Sequence, residues 1–218
     1  VDDSINRNSG LTGLTVADNQ FTLSAANRNH GVDGFNAGLQ RFFHRLTFDD
    51  GMVLEQHADL SQPGQYACKE QLTIVGPKGR IERVRVLGPT RRYTQVEIAM
   101  TEQYKLGVHP PIRESGDIKD TPGCTLEGTA GSVTLERGVI CALRHIHMTP
   151  EDALLYGVRD KSFVRVKVAG DRELDFGDVL VRVDPSFALA MHIDTDEANA
   201  AHVQTGAQGH IAAIQNQN

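Results

Sequence analysis

The stretch QLTIVGPKGRIERVRVLGP, residues 71–89, constrains the fold more than any other in this 218-residue chain. Apolar residues alternate with polar ones on both sides of Gly76-Pro77-Lys78-Gly79, which reads as a strand, a turn and a returning strand. In the returning strand Val84 and Val86 share one face, and Arg83 and Arg85 share the other. The design recurs at FVRVKVAGDRELDFGDVLVRVDP (163–185), where Val164, Val166 and Val168 oppose Arg165 and Lys167. Both hairpins close on V-x-V followed by proline, at 84–89 and 181–185. Further short strands are expected in YTQVEIAM (93–100), in SVTLERGVICALRHIHM (132–148, two strands) and in LAMHIDT (189–195). Many short strands joined by Gly-rich turns point to a mainly β chain built of small barrels. The repeat divides it into a polar N-terminal extension (1–30), a first β-rich half (31–125) and a second (126–218).

Helices are few. FNAGLQRFFHRLTF (35–48) has near-helical apolar spacing at Phe35, Leu39, Phe42, Phe43 and Leu46. In TPED, Thr149 is placed as N-cap, Pro150 in the first turn and Asp152 at the third position, a capping-box pattern. DTDEANAA (194–201) offers Asp194 and Glu197 in the same roles. Each of the two strands that end in histidine therefore runs straight into a helix start.

Several classes of function are set aside by composition. A formal net charge of −6 argues against nucleic-acid binding, which needs a basic surface. No apolar run approaches a membrane span, and the first residues lack a secretory signal pattern. Three scattered cysteines, Cys68, Cys124 and Cys141, with no C-x-x-C, fit a reducing, cytoplasmic setting. P-loop, dinucleotide and G-x-S-x-G motifs are absent.

What remains is a cluster of histidines. His145 and His147 lie at i and i+2, so a strand puts both imidazoles on one face. His192 lies on a later strand. Three histidines from two strands match a zinc site with one open position, able to polarise a carbonyl or bind an anion. Spacing alone leaves a satisfied histidine pair open as well, with His145 bonded to Asp194 or Glu97. The adjacent Arg91 and Arg92 suit phosphate, or a solvated turn. HPPIRESGD (109–117) reads as a loop stiffened by Pro110-Pro111 that places Arg113, Glu114 and Ser115 after it.

Taken together, DLSQPGQYACKE (59–70), VGPKGRIERVRVLGP, TQVEI, PPIRESGD, GVICALRHIHMTPEDA and LVRV…MHIDTDEANAA resemble the PduL-type phosphotransacylases. These are phosphate propanoyltransferases associated with bacterial microcompartments. The resemblance covers about residues 59–201, in order. It implies two small closed β-barrels with short capping helices and the reaction acyl-CoA plus phosphate to acyl phosphate plus CoA. It also implies a two-zinc site, with His145, His147 and His192 on one zinc and Glu97 as carboxylate ligand of the other. Arg91 then holds phosphate, Ser115 lies in the loop beside the site, and Arg83 and Arg85 are candidates for the CoA phosphates. The implied partners are a CoA thioester and phosphate, with a homodimer and microcompartment shell or core enzymes left open. The implied location is the cytoplasm or the microcompartment interior.

One family feature is missing. A first H-x-H is expected near residues 31–39, where GVDGFNAGL has Asn36 and Gly38 at the histidine positions. A looser match at 15–24 has Gln20 and Thr22 there. His30, His44 and His57 are the nearby histidines left to stand in. Three readings therefore stay open: a phosphotransacylase, a non-catalytic relative that binds one zinc or CoA only, and a zinc hydrolase using water on thioesters.

Overall fold

The computed structural model describes residues 55–89 and 93–215 in full and the backbone of 14–18 and 31–33. The helix expected over 35–48 and Arg91 lie outside the described residues, as do Asn36 and Gly38. The strands are β1 (Leu14–Asp18), β2 (Gly31–Asp33), β3 (Gln56–Asp59), β4 (Tyr66–Val75), β5 (Arg80–Gly88) and β6 (Gln95–Glu97). A helix α1 (Glu102–Leu106) follows, then β7 (Ile112–Arg113), β8 (Cys124–Gly128), β9 (Gly131–Leu135), β10 (Val139–Ala142) and β11 (His145–Met148). Helix α2 (Pro150–Tyr156), β12 (Phe163–Val168), β13 (Leu174–Val183), β14 (Ala190–Ile193), α3 (Thr195–Ala201) and β15 (Ala207–Gln215) complete the described chain.

Both expected hairpins form. The first pairs β4 with β5, and its turn is pinned beneath α1, where Lys78 N–H donates to Leu106 O at 2.9 Å. A Cβ on Gly76 would meet that same carbonyl at 2.3 Å, so the turn needs a glycine for close approach. Both capping boxes are also present: the Thr149 hydroxyl accepts from Asp152 N, and the Asp194 carboxylate accepts from Glu197 N.

The fold is mixed α/β, and two small closed barrels are not what forms. The larger sheet has the order β7-β10-β6-β2-β5-β4-β8-β9, with β3 paired to β4, and it is open. Its edge strand β7 is only two residues long and follows Pro110-Pro111, which remove two backbone donors from the edge. Strands β14-β11-β13-β12-β15 make one strongly curled sheet, and β1 pairs with both of its edges, parallel to β14 and antiparallel to β15. Register shifts in β12 against β13 and β15, with Asp178 at φ 52°, supply the curl. Periodicity reports the alternation of a strand but not whether a sheet closes, which is why barrels were expected.

Two hydrophobic cores result. One lies inside the curl, where Ile146, Met148, Val164, Val166, Val179, Val181, Met191 and Ile193 meet Ala153 and Tyr156 of α2 and Ala198 and Ala201 of α3. The other packs Leu72, Ile74, Ile81, Val84, Val86 and Val96 with Leu106 of α1. The chain passes from the larger sheet to the curled one through Leu143 and Arg144, between β10 and β11. Cys141 is therefore not on the strand face of His145. It is buried on β10, and its thiol donates to Asp194 Oδ2 at 3.5 Å. Burial first, then the nearby Asp194 carboxylate, pushes that thiol up, as befits an inert cysteine.

Candidate metal centre

Strand alternation sends Ile146 and Met148 into the core of the curl and His145 and His147 to its other face. Antiparallel pairing then sets His192 directly opposite His145. The three ring centroids stand 4.7, 4.8 and 5.0 Å apart, and the potential ligand atoms lie within 4.8 Å of one another. Among the described residues this is the cluster of metal-ligating side chains, and it is made of three imidazoles.

Although they face away from the core, all three rings are only 5–6% exposed. Groups from the larger sheet and from neighbouring loops cover them. Gln62 reaches across from the loop before β4: its Nε2 lies 3.4 Å from His192 Nε2 and donates to Ala188 O, while Ala188 N–H donates to Gln62 Oε1. Phe187 packs on His147 at 4.2 Å. His145 Nδ1 is 2.8 Å from Leu143 O. Since a carbonyl only accepts, Nδ1 carries the proton and Nε2 presents its lone pair to the cluster.

Burial lowers the His145 pKa to about 4 and moves His192 well below its usual value, with Arg182 pushing both the same way. Neutral imidazoles are the protonation state that metal binding requires. Three imidazole nitrogen donors, converging and shielded from water, fit a zinc ion with one position left for a substrate. A common ion at 2.0–2.1 Å from each nitrogen would draw them to about 3.4 Å apart, a modest contraction of the present arrangement.

Glu97 sits on β6, paired in register with Gly31 of β2 and Ile140 of β10, and does not join the histidine cluster. It is tied to Ser115 through a residue that sequence reasoning missed. Gln95, two positions earlier on the same face, donates through Nε2 to Glu97 Oε1 at 2.6 Å and to Ser115 Oγ at 2.9 Å, and its Oε1 accepts from Gly116 N–H at 2.7 Å. Gln95 is 2% exposed, so it fixes the carboxylate and the loop as one unit.

Two cations beside the cluster, Arg182 and Lys161, were also missed, whereas Glu114 belongs to the loop the sequence singled out. Arg182 is the register partner of His147 on β13, and its guanidinium lies 5.8 Å over the Phe187 ring. Its Nε stands 4.0 Å from Glu114 Oε2, and Lys161 pairs with the same carboxylate. The signal was present in VRV (181–183), where alternation sets Arg182 opposite two core valines, but nothing in the sequence tied that face to H-x-H. Arg83 and Arg85 do not line the histidine cluster. Arg85 is buried, with Nη1 donating to Cys68 O at 2.9 Å and Lys69 O at 3.3 Å, whereas Arg83 is exposed at φ 62°. The positive φ at Arg83 and the register shift beside it break the alternation that put the two arginines on one face. The remaining described histidines lie elsewhere: His57 and His210 are exposed on β3 and β15, His109 Nδ1 meets Gln103 Oε1 at 3.0 Å, and His202 caps α3 in the left-handed region.

The family model for phosphate propanoyltransferase matches residues 39–204. A phosphate propanoyltransferase from Thermotoga maritima is 55% identical over 177 residues, which is 81% of this chain and 84% of that protein. Those from Listeria monocytogenes and Enterococcus faecalis are 53% and 52% identical over 180 residues, 83% of this chain and 84% and 85% of theirs.

Proposed function

Because the chain belongs to the phosphate propanoyltransferase family, we propose that the three-histidine cluster is where it carries out that family's reaction. It interconverts an acyl-CoA plus phosphate with an acyl phosphate plus CoA. The observation that carries this reading is the convergence of His145, His147 and His192, all buried, with Gln62, Phe187 and Arg182 beside them.

The three imidazoles would hold a zinc ion, which supplies a Lewis acid for a carbonyl or phosphate oxygen. The chain's own residues do the rest. A phosphate oxygen attacks the thioester carbon, the C–O bond forms, the C–S bond breaks, and the sulfur leaves as thiolate. No acyl-enzyme is needed, and Cys141, buried with a raised pKa, is not placed to form one. Arg182 sets a cation beside the cluster, and Arg91 is assigned to the phosphate dianion, where a guanidinium offers two parallel donors. Burial of the cluster limits water, which otherwise would consume the acyl phosphate.

Glu97 is assigned to a second zinc, supported by its link through Gln95 to the Ser115 loop, with Ser115 placed to contact substrate. The Asn36 and Gly38 substitutions leave that second site short of imidazoles. No helix of the described residues is long and apolar enough to cross a membrane. Residence in a microcompartment, contacts with its shell or core enzymes and a homodimer rest on the family resemblance.

Product identity tests the reading. Incubation with propanoyl-CoA and phosphate, followed by hydroxylamine trapping, should yield propanoyl hydroxamate in proportion to CoA released. CoA release that is independent of phosphate and accumulates free propanoate would instead assign a zinc hydrolase, and no release at all would assign a non-catalytic relative.

A further inference from the structure

The strand pairing that builds the histidine cluster occurs twice in this chain. In the curled sheet β11 lies between β13, to which it is parallel, and β14, to which it is antiparallel. From there β13 pairs with β12 and β12 with β15, both antiparallel, while β14 pairs with β1 in parallel. In the larger sheet β2 lies in the same way between β5, parallel, and β6, antiparallel. From there β5 pairs with β4 and β4 with β8, both antiparallel, while β6 pairs with β10 in parallel. Order and direction agree at every step.

The agreement extends to register. Ile146 is paired with Val181 on one side and Met191 on the other, and Val32 is paired with Val86 and Val96. The two partners stand the same number of residues apart in each sheet, and all four are buried in the cores. The neighbouring positions then correspond one to one. His192, paired with His145, has Glu97, paired with Gly31, as its counterpart. His147, paired with Ala190, has Asp33, paired with Gln95. The backbone positions that carry three imidazoles in the curled sheet are therefore occupied in the larger sheet by Glu97, Gly31 and Asp33. A catalytic zinc keeps about three protein ligands. Gly31 has no side-chain donor to offer, and neither 31 nor 33 is an imidazole. Where the histidine site has the small Ala190, this one has Gln95, whose amide donates to Glu97 Oε1 at 2.6 Å. Counting back along the sequence put the missing pair at Asn36 and Gly38. A count without gaps shifts whenever the connection between β2 and β3 changes length, as connections readily do, whereas strand pairing does not.

We infer that positions 31 and 33 are where this chain has given up the imidazoles of its second site. Glu97 then holds a zinc only loosely, and the ion the chain retains is the one at His145, His147 and His192. This rests on the reading of those histidines as zinc ligands. Zinc per chain, by elemental analysis of the full chain after gel filtration in metal-free buffer, tests it. The parent and Glu97→Gln should each keep about one zinc. G31H/D33H should keep about two, and adding E97Q to that pair should bring it back to about one. N36H/G38H should stay at about one. A parent that keeps two zincs, one of them lost in E97Q, would overturn the inference, and so would a folded G31H/D33H chain that gains none. Should G31H/D33H fail to fold, the comparison of the parent with E97Q decides. Acyl transfer is judged separately: one zinc without phosphate-dependent CoA release refutes that activity and leaves the inference standing. A parent with no zinc overturns the inference together with the histidine reading.

Discussion

Burial sets the protonation states on which this molecule depends. It favours neutral imidazoles at His145 and His192, and it also favours the protonated carboxyl of Glu102 in the neighbouring acidic group. Glu102 has its pKa raised to about 8, first by burial and then by Asp196 and Asp194, while Ala99 N–H and Lys105 oppose the shift. An acid with a raised folded pKa binds its proton in the native state while the unfolded chain has lost it. Stability therefore falls as pH rises from about 4.5 to 8. Glu102→Gln removes that term, so the variant should gain about 1–2 kcal/mol over the parent at pH 8, after allowance for partial solvent screening, and nothing at pH 4. Urea unfolding at the two pH values checks it; equal differences at both would show that Glu102 is ionised throughout. At this scale the sequence was informative wherever a residue obeys strand period. H-x-H placed two imidazoles together, and His192 was identified as their partner. Gln62 and Gln95 were illegible because their roles depend on contacts 130 and 20 residues away in the chain.

Among the elements, both hairpins and both capping boxes were legible, because turn and cap chemistry is written in adjacent residues. Thr149→Ala should cost about 1 kcal/mol, the usual worth of a side-chain cap, measurable as a lower urea midpoint with an unchanged slope. Gly76→Ala should cost about 1–3 kcal/mol, since its Cβ must displace the Leu106 carbonyl of α1 rather than a flexible side chain. If that variant matches the parent, the turn is not pinned under the helix. Closure of the sheets was not legible. The two-residue β7 at one edge, and the curl that bulges impose on β12 and β13, follow from pairing partners far apart in sequence.

At the scale of the whole molecule, a seam of side-chain contacts joins the two sheets beside the histidine cluster. Gln62 with Ala188 and His192, Thr101 with Asp196, Cys141 with Asp194, and Glu114 with Lys161 and Arg182 all join the larger sheet's side to the curled sheet's side. The seam ties Glu114, the neighbour of Ser115, to Arg182, the register partner of His147. Glu114→Gln should lower kcat by about tenfold or more, as loss of a supporting partner around a metal site does, with metal content unchanged. Unchanged kcat would show that the loop is held without that clamp.

The central claim, that His145, His147 and His192 hold the metal through which acyl transfer proceeds, is tested most directly by metal content per chain. The measurement is zinc by elemental analysis, alongside phosphate-dependent CoA release, on the parent chain and on His192→Ala. The parent should carry at least one zinc per chain, and His192→Ala should lose that zinc together with at least about a hundredfold of the activity. An active parent without zinc, or a His192→Ala chain that keeps both zinc and activity, would contradict the account.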